Sequence, residues 1–167
     1  GTDGIRGRAN EYPMTADLVL RLGRAIGTYF RQHVPGRQCV VIGKATRRSG
    51  YMLEQALSAG VCSTGVATVF LGPLPTPGIA HMVHVLKANA GVVISASHNP
   101  YLDNGIKVFA SDGYKLADSI EGELEALVFA DESGPTDRVG TSVRSTDAQD
   151  RYAAFLKAQV PQGFSLQ

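Results

Sequence analysis

A chain of 167 residues with 44% hydrophobic and 19% charged residues suits one globular domain with a short appendage, and excludes a disordered or fibrous protein. Sixteen Lys and Arg against 15 Asp and Glu leave a net charge of +1, too little to hold a polyanion by counterion release, so no nucleic-acid partner is expected. The longest apolar stretches, Val66 to Leu71 and Gly91 to Ile94, fall far short of the ~20 residues of a membrane span, so no membrane partner is expected either.

The opening residues 1–7, GTDGIRG, read as turn-rich. They lack the basic and apolar regions of a signal peptide, and a start without Met reads as trimmed. Thr15 is placed to cap a helix whose apolar positions Leu18, Leu22, Ala25, Ile26, Tyr29 and Phe30 recur every three or four residues as far as His33. Cys39 to Ile42 reads as a strand buried on both faces. Ser49 then caps a helix with Met52, Leu53, Ala56 and Leu57 inward and Gly60 at its end. A strand over Val66 to Leu71 leads to Thr76 as N-cap, with Pro77 opening a helix to Leu86. Gly91 to Ile94 is another buried strand.

Ile106 to Phe109 and the stretch from Tyr114 flank a Ser111-Asp112-Gly113 turn, the pattern of a hairpin or bulged edge. Asp118 and Glu121 form a capping box for a helix to about Phe129. Beyond it lie a polar linker, Asp131 to Asp137, an extended segment over Val139 to Val143, and a helix from Asp147 to about Val160 capped by Thr146. Tyr152, Phe155 and Leu156 on that helix need a surface to pack on. Alternating strands and helices imply an α/β fold, a mostly parallel sheet covered on both faces. Cys39 and Cys62, without a CxxC or Cys/His cluster, read as buried free thiols suited to a reducing cytoplasm, with a disulfide or metal pair as the alternative. Glycine, at 19 residues, is in excess and implies many tight turns.

In such sheets ligands bind off the carboxyl ends of the strands. Three polar segments follow apolar strands there: Gly43 to Ser49, Gly72 to Pro77 and Ser95 to Pro100. The last places Ser97 beside His98 and Asn99 in a proline-stopped loop. Acyl transfer would require a base, an acidic orienter and a nucleophile elbow; Ala96-Ser97-His98 does not match, and an adjacent histidine rarely points back at its serine. Phosphoryl transfer requires cations around the phosphate, and Arg6, Lys44, Arg47 and Lys107 supply them. No Walker A pattern implies a nucleotide site. Taken singly, each residue has a plainer reading: Ser97 as turn composition, His98 as a surface residue, Arg47-Arg48 as a solvated helix entry.

Taken together and in order, GTDGIRG, Gly43-Lys44 with Thr46-Arg47, Gly72-Pro73 with Pro75-Thr76-Pro77, SASHNP over 95–100 and DNGIK over 103–107 resemble the first domain of the α-D-phosphohexomutases. The likeness covers roughly residues 1–130. It implies a three-layer α/β/α sandwich with a mixed, mostly parallel sheet and a C-terminal helical appendage, residues 131–167 being a linker and the start of a second domain. It implies that Ser97 is a phosphoserine that passes its phosphate to a hexosamine phosphate, with hexose phosphates as the alternative substrates.

By the same likeness Arg6 and Lys107 are the cations at the reacting oxygen, Lys107 acting as general acid/base. His98 shapes and polarises the loop, while Asn99, Arg47 and Lys44 bind phosphate or substrate. Mg²⁺ is held through the phosphate on Ser97. Ala45 departs from the family pattern, which carries Asp there, so Arg47 is expected to lose a carboxylate partner and its loop some order. Family members are about three times longer and carry their metal, sugar and distal-phosphate loops in later domains, so the remaining domains of the same enzyme are the expected partners. The isolated chain is expected to lack mutase activity, or to serve only as a sugar-phosphate-binding fragment.

Overall fold

A computed structural model describes residues 4–130, 137–161 and 163–164. Eleven elements follow in chain order: β1 (Ile5–Arg8), α1 (Ala16–His33), β2 (Cys39–Lys44), α2 (Ser49–Ser63), β3 (Ala67–Pro73), α3 (Thr76–Val85), β4 (Ala90–Ile94), β5 (Asp103–Ala110), α4 (Asp118–Ala130), β6 (Ser142–Arg144) and α5 (Ala148–Ala158). The strands form one sheet in the order β1-β5-β4-β2-β3-β6. β4, β2, β3 and β6 are mutually parallel, and β5 runs antiparallel to both β4 and β1. This is the expected mixed, mostly parallel sheet.

Two cores cover it. Val40 and Ile42 of β2, with Ala90, Val92 and Ile94 of β4, pack under α1, α2 and α4, while Val41 and Val93 turn the other way to meet α3 and Ala148 of α5. Runs such as Cys39 to Ile42 are apolar throughout because both of their alternating faces are buried. Among the described residues no helix is long and apolar enough to cross a membrane.

The structure corrects several local expectations. The opening is not only turn: residues 5–8 form an edge strand, Ile5 opposite Ile106 and Arg8 opposite Asp103, a pairing between distant parts of the chain that local pattern does not reveal. Thr15 holds the N-cap position of α1 in extended backbone but makes no side-chain cap bond. It hydrogen-bonds Asp17 instead and holds that carboxyl below its usual range. Ser49 lies inside the first turn of α2, after Arg48, and Pro75 precedes α3 where Thr76 was expected to. At the start of α5 the cap position belongs to Asp147, whose carboxylate accepts from Ser145 Oγ at 2.8 Å and Arg151 Nε at 2.7 Å. The Ser111-Asp112-Gly113 turn forms, but its far side makes only one bridge, Phe109 with Lys115. Asp118 and Glu121 both pair with Lys115, at 3.0 and 3.3 Å.

The tail returns to the sheet through β6, which pairs with β3, and α5 lies on α3 with the Phe155 ring stacked 4.0 Å from His81. Leu156 keeps 47% of its surface exposed. The expected linker falls, apart from Asp137, outside the described residues. Both cysteines are free and half-buried, less sheltered than expected.

Gly60 does not end α2, which continues to Ser63. It sits where α2 crosses α1 in backbone contact: a Cβ there would lie 2.1 Å from the Leu20 carbonyl oxygen and 2.8 Å from the Arg24 amide. Gly60→Ala would gain roughly 1 kcal/mol of helix propensity. The backbone clash outweighs that gain, and a net loss of about 1–3 kcal/mol is expected from forced separation of the helices. A fall in the urea midpoint at constant m-value is the measurement; an unchanged or higher midpoint would contradict it.

Candidate active site

β2 and β4 end side by side, and the segments leaving them are joined by their backbones. Ala45 donates to the Ile94 carbonyl at 2.9 Å and Ser95 to the Gly105 carbonyl at 2.8 Å, so residues 95–102 form a connection anchored at both ends between β4 and β5. Internal bonds shape it: Asn99 N–H to Ala96 O at 3.0 Å, Asp103 N–H to Pro100 O at 2.9 Å, and Asn99 Nδ2 to Asp103 Oδ2 at 3.1 Å. Buried Asn104 supports it from beneath, donating to Ser49 Oγ at 2.8 Å and accepting from the Gly105 amide at 2.9 Å.

Ser97 lies in this loop with φ +54°, a left-handed conformation that non-glycine residues adopt only when their surroundings over-determine it. Those surroundings are explicit. Its amide donates to Ser95 Oγ at 3.1 Å, and its carbonyl accepts from Arg47 Nη2 at 2.9 Å, as does the carbonyl of Asn99, also at 2.9 Å. The Ser97 hydroxyl is exposed, 3.3 Å from His98 Nδ1. The histidine thus points back at its serine, against the expectation from adjacency. Among the described residues no carboxylate bonds the far ring nitrogen of His98, so the acid-base-nucleophile relay of acyl transfer is incomplete.

Arg6 and Lys107 stand on the neighbouring strands. Arg6 pairs with Gly105, and Lys107, two residues further along β5, pairs with Val93. Paired and alternate residues share a sheet face, so both cations project on the α3 side. Gly105 leaves the room: a Cβ there would lie 2.8 Å from the Ser95 carbonyl oxygen and 3.1 Å from Arg6 Cγ.

Lys44 is placed differently. It is 1% exposed, with Nζ 2.6 Å from Glu54 Oε1 and 3.9 Å from the centre of the Tyr51 ring. The structure therefore brings Ser97, His98, Asn99 and Arg47 into direct contact, sets Arg6 and Lys107 on the adjoining strands, and keeps Lys44 in the interior. Arg47 keeps its loop contacts, but its Nε, sealed from solvent, has no partner among the described residues.

Glu54, Asn104 and Ser95 were missed as supporting residues. A carboxylate beside Leu53 and Leu57 on the inner side of a helix is the signal that could have found Glu54. For a metal, the donor chemistry fits in one respect. A phosphate on exposed Ser97 would offer hard oxygen ligands to Mg²⁺, but no three His, Cys, Asp or Glu gather to hold an ion among the described residues. A groove of about 670 Å³ opens elsewhere, between α1, α4, β1 and β5, lined by Leu18, Leu22, Leu124 and Val128.

A three-layer α/β/α domain that presents a serine hydroxyl from the β4–β5 connection, with cations on the flanking strands, defines a class. The model of the phosphoglucomutase/phosphomannomutase alpha/beta/alpha domain I matches residues 1–134, and the chain belongs to that family. Its sequence is 53% identical to the phosphoglucosamine mutase of Syntrophotalea carbinolica over 99% of the chain and 37% of that protein. It is 52% identical to that of Anaeromyxobacter dehalogenans over 99% of the chain and 39% of the protein. The chain thus spans well under half the length of these relatives. Among solved structures, a putative phosphomannomutase from Thermus thermophilus superimposes with a TM-score of 0.81 and 32% identity, covering 96% of this chain and 36% of that one. A phosphoglucomutase/phosphomannomutase family protein from Burkholderia thailandensis, 24% identical, shares the fold with a TM-score of 0.80, covering 98% of this chain and 36% of that one.

Proposed function

We propose that this chain is the serine-bearing part of a phosphoglucosamine mutase that interconverts glucosamine 6-phosphate and glucosamine 1-phosphate. The observation that carries the reading is Ser97, an exposed hydroxyl on a loop held in strained backbone beside two strands that bear Arg6 and Lys107. The phosphoryl group on Ser97 Oγ passes to a sugar hydroxyl. The O–P bond to the serine breaks as the bond to the sugar oxygen forms, the sugar hydroxyl proton passes by way of Lys107 to the departing serine oxygen, and a bisphosphate and a free serine hydroxyl result. Reversed in the site, the bisphosphate returns its other phosphoryl group to Ser97, and Lys107 returns the proton. Arg6 offsets charge on the phosphoryl oxygens, and His98 Nδ1 lies against the serine oxygen that becomes the leaving group.

Mg²⁺, when bound through the phosphate on Ser97, supplies further charge compensation, its other ligands coming from outside the described residues. The remaining domains of the enzyme would complete the cleft over this open surface and choose the sugar. The product would supply nucleotide-activated amino sugars for cell-wall synthesis in the cytoplasm. The test is a comparison of steady-state rates for the full-length enzyme, primed with a hexose bisphosphate, on the 6-phosphates of glucosamine, glucose and mannose. The highest kcat/KM is expected with glucosamine 6-phosphate. A preference for glucose or mannose 6-phosphate would move the assignment to a phosphoglucomutase or phosphomannomutase.

A further inference from the structure

Arg47 looks at first like one more phosphate-binding cation. Its contacts point elsewhere. Both hydrogens of Nη2 have acceptors, the carbonyl oxygens of Ser97 and Asn99 at 2.9 Å each, and Nε is turned away into a solvent-free position. One side chain from the β2–α2 connection thus grips two carbonyls on the β4–β5 connection, 50 and 52 residues further along the chain. The gripped residue is the one with φ +54°.

We infer that Arg47 is a positioning residue that holds Ser97 in its left-handed conformation from the backbone side, and is not a ligand of the transferred phosphate. The inference rests on the reading of Ser97 as the phosphate carrier for its catalytic consequence, but not for the clamp itself. Two carbonyls drawn to one guanidinium set the orientation of the peptide units that follow Ser97 and Asn99 and so fix the direction in which the serine oxygen leaves the loop. Lysine is a poor substitute, because a single rotatable ammonium does not reproduce the planar donor set of the guanidinium. A phosphate ligand behaves differently: there a lysine retains the charge and much of the binding.

The test has two arms. In the 167-residue chain, amide hydrogen exchange is followed over residues 95–103 for the parent, Arg47→Lys and Arg47→Ala. Exchange in that segment is expected to rise about tenfold or more in Arg47→Ala, with the amides of β2 and β4 unchanged, as for a local rather than a global opening. Should Arg47→Ala fail to fold, Arg47→Gln, which keeps a planar amide on a shorter stem, replaces it. In the full-length enzyme, kcat is expected to fall about 100-fold with KM for the sugar phosphate changed less than about twofold, and Arg47→Lys to restore little of it.

Unchanged loop exchange would overturn the clamp. So would a rise in KM at unchanged kcat, or full rescue by lysine, which would return Arg47 to phosphate binding. If the full-length protein turns over no sugar phosphate, the proposed function fails while the exchange arm still decides the clamp.

Discussion

Ser97→Ala in the full-length enzyme is expected to lower mutase turnover by on the order of 10⁵-fold, the scale on which loss of a covalent nucleophile acts. The neighbouring hydroxyl of the same loop is not placed to replace it. Ser95 is the nearest in sequence, but its Oγ is half-buried and accepts the Ser97 amide, so it faces the inside of the loop. The change is also structurally mild. Alanine meets the same left-handed backbone as serine, and the one side-chain bond lost is the exposed 3.3 Å contact to His98. Stability is therefore expected to move by less than about 0.5 kcal/mol, as for other surface changes. Turnover within tenfold of the parent, in a variant with an unchanged melting temperature, would remove Ser97 from the mechanism.

Glu54→Ala is expected to have the largest effect on stability. Lys44 and Glu54 are 1% and 0% exposed, and their 2.6 Å contact is the local compensation for burying both charges. Arg144 Nη2 lies 3.9 Å from the same carboxylate oxygen but is half-exposed, and Glu54 Oε2 is sealed without a partner among the described residues. Removing the carboxylate strands the ammonium in the interior against Tyr51, and breaking a buried pair in this way costs about 3–5 kcal/mol. A single cation–π contact, worth about 0.5–2 kcal/mol, does not make up the difference.

The double variant Lys44→Met/Glu54→Leu separates the pair's contribution from that of packing. It is expected to recover most of the loss, since well-packed apolar replacements of buried pairs are often neutral or stabilising. Urea denaturation of the parent and both variants measures this. A loss below about 1 kcal/mol for Glu54→Ala would show that the site hydrates or rearranges freely. Lys44 ends the strand that leads to Arg47, so a loosened pair is also expected to loosen the clamp on the serine loop.

Much of this architecture was legible before any coordinates. The three- and four-residue spacing of Leu18, Leu22, Ala25, Ile26, Tyr29 and Phe30 marked α1, the unbroken apolar runs at Cys39 and Gly91 marked buried strands, and the stretch from Val66 marked another strand. These are local signals, because periodicity reports which face of an element is dry. The edge strand β1 escaped notice for the opposite reason. Four residues that include a glycine carry too little periodicity, and they become a strand only because β5 lies alongside. The helix starts erred by a residue at Ser49, Thr76 and Thr146, where side chains able to cap were engaged elsewhere or stood one place off.

The candidate site divides in the same way. The sequence by itself determined the α/β class, the order of the central elements, and the gathering of Ser97, His98 and Asn99 in one loop, because those depend on residue type and neighbours along the chain. Only the tertiary structure decided what each cation does. Lys44 and Arg47 are three residues apart in one segment, yet one is sealed against Glu54 while the other reaches across to the carbonyls of Ser97 and Asn99. A charge's role follows from its burial and from the partner brought to it by distant strands. That is why 16 basic residues and a net charge of +1, unremarkable as a total, include an interior pair, a backbone clamp and two cations beside one serine.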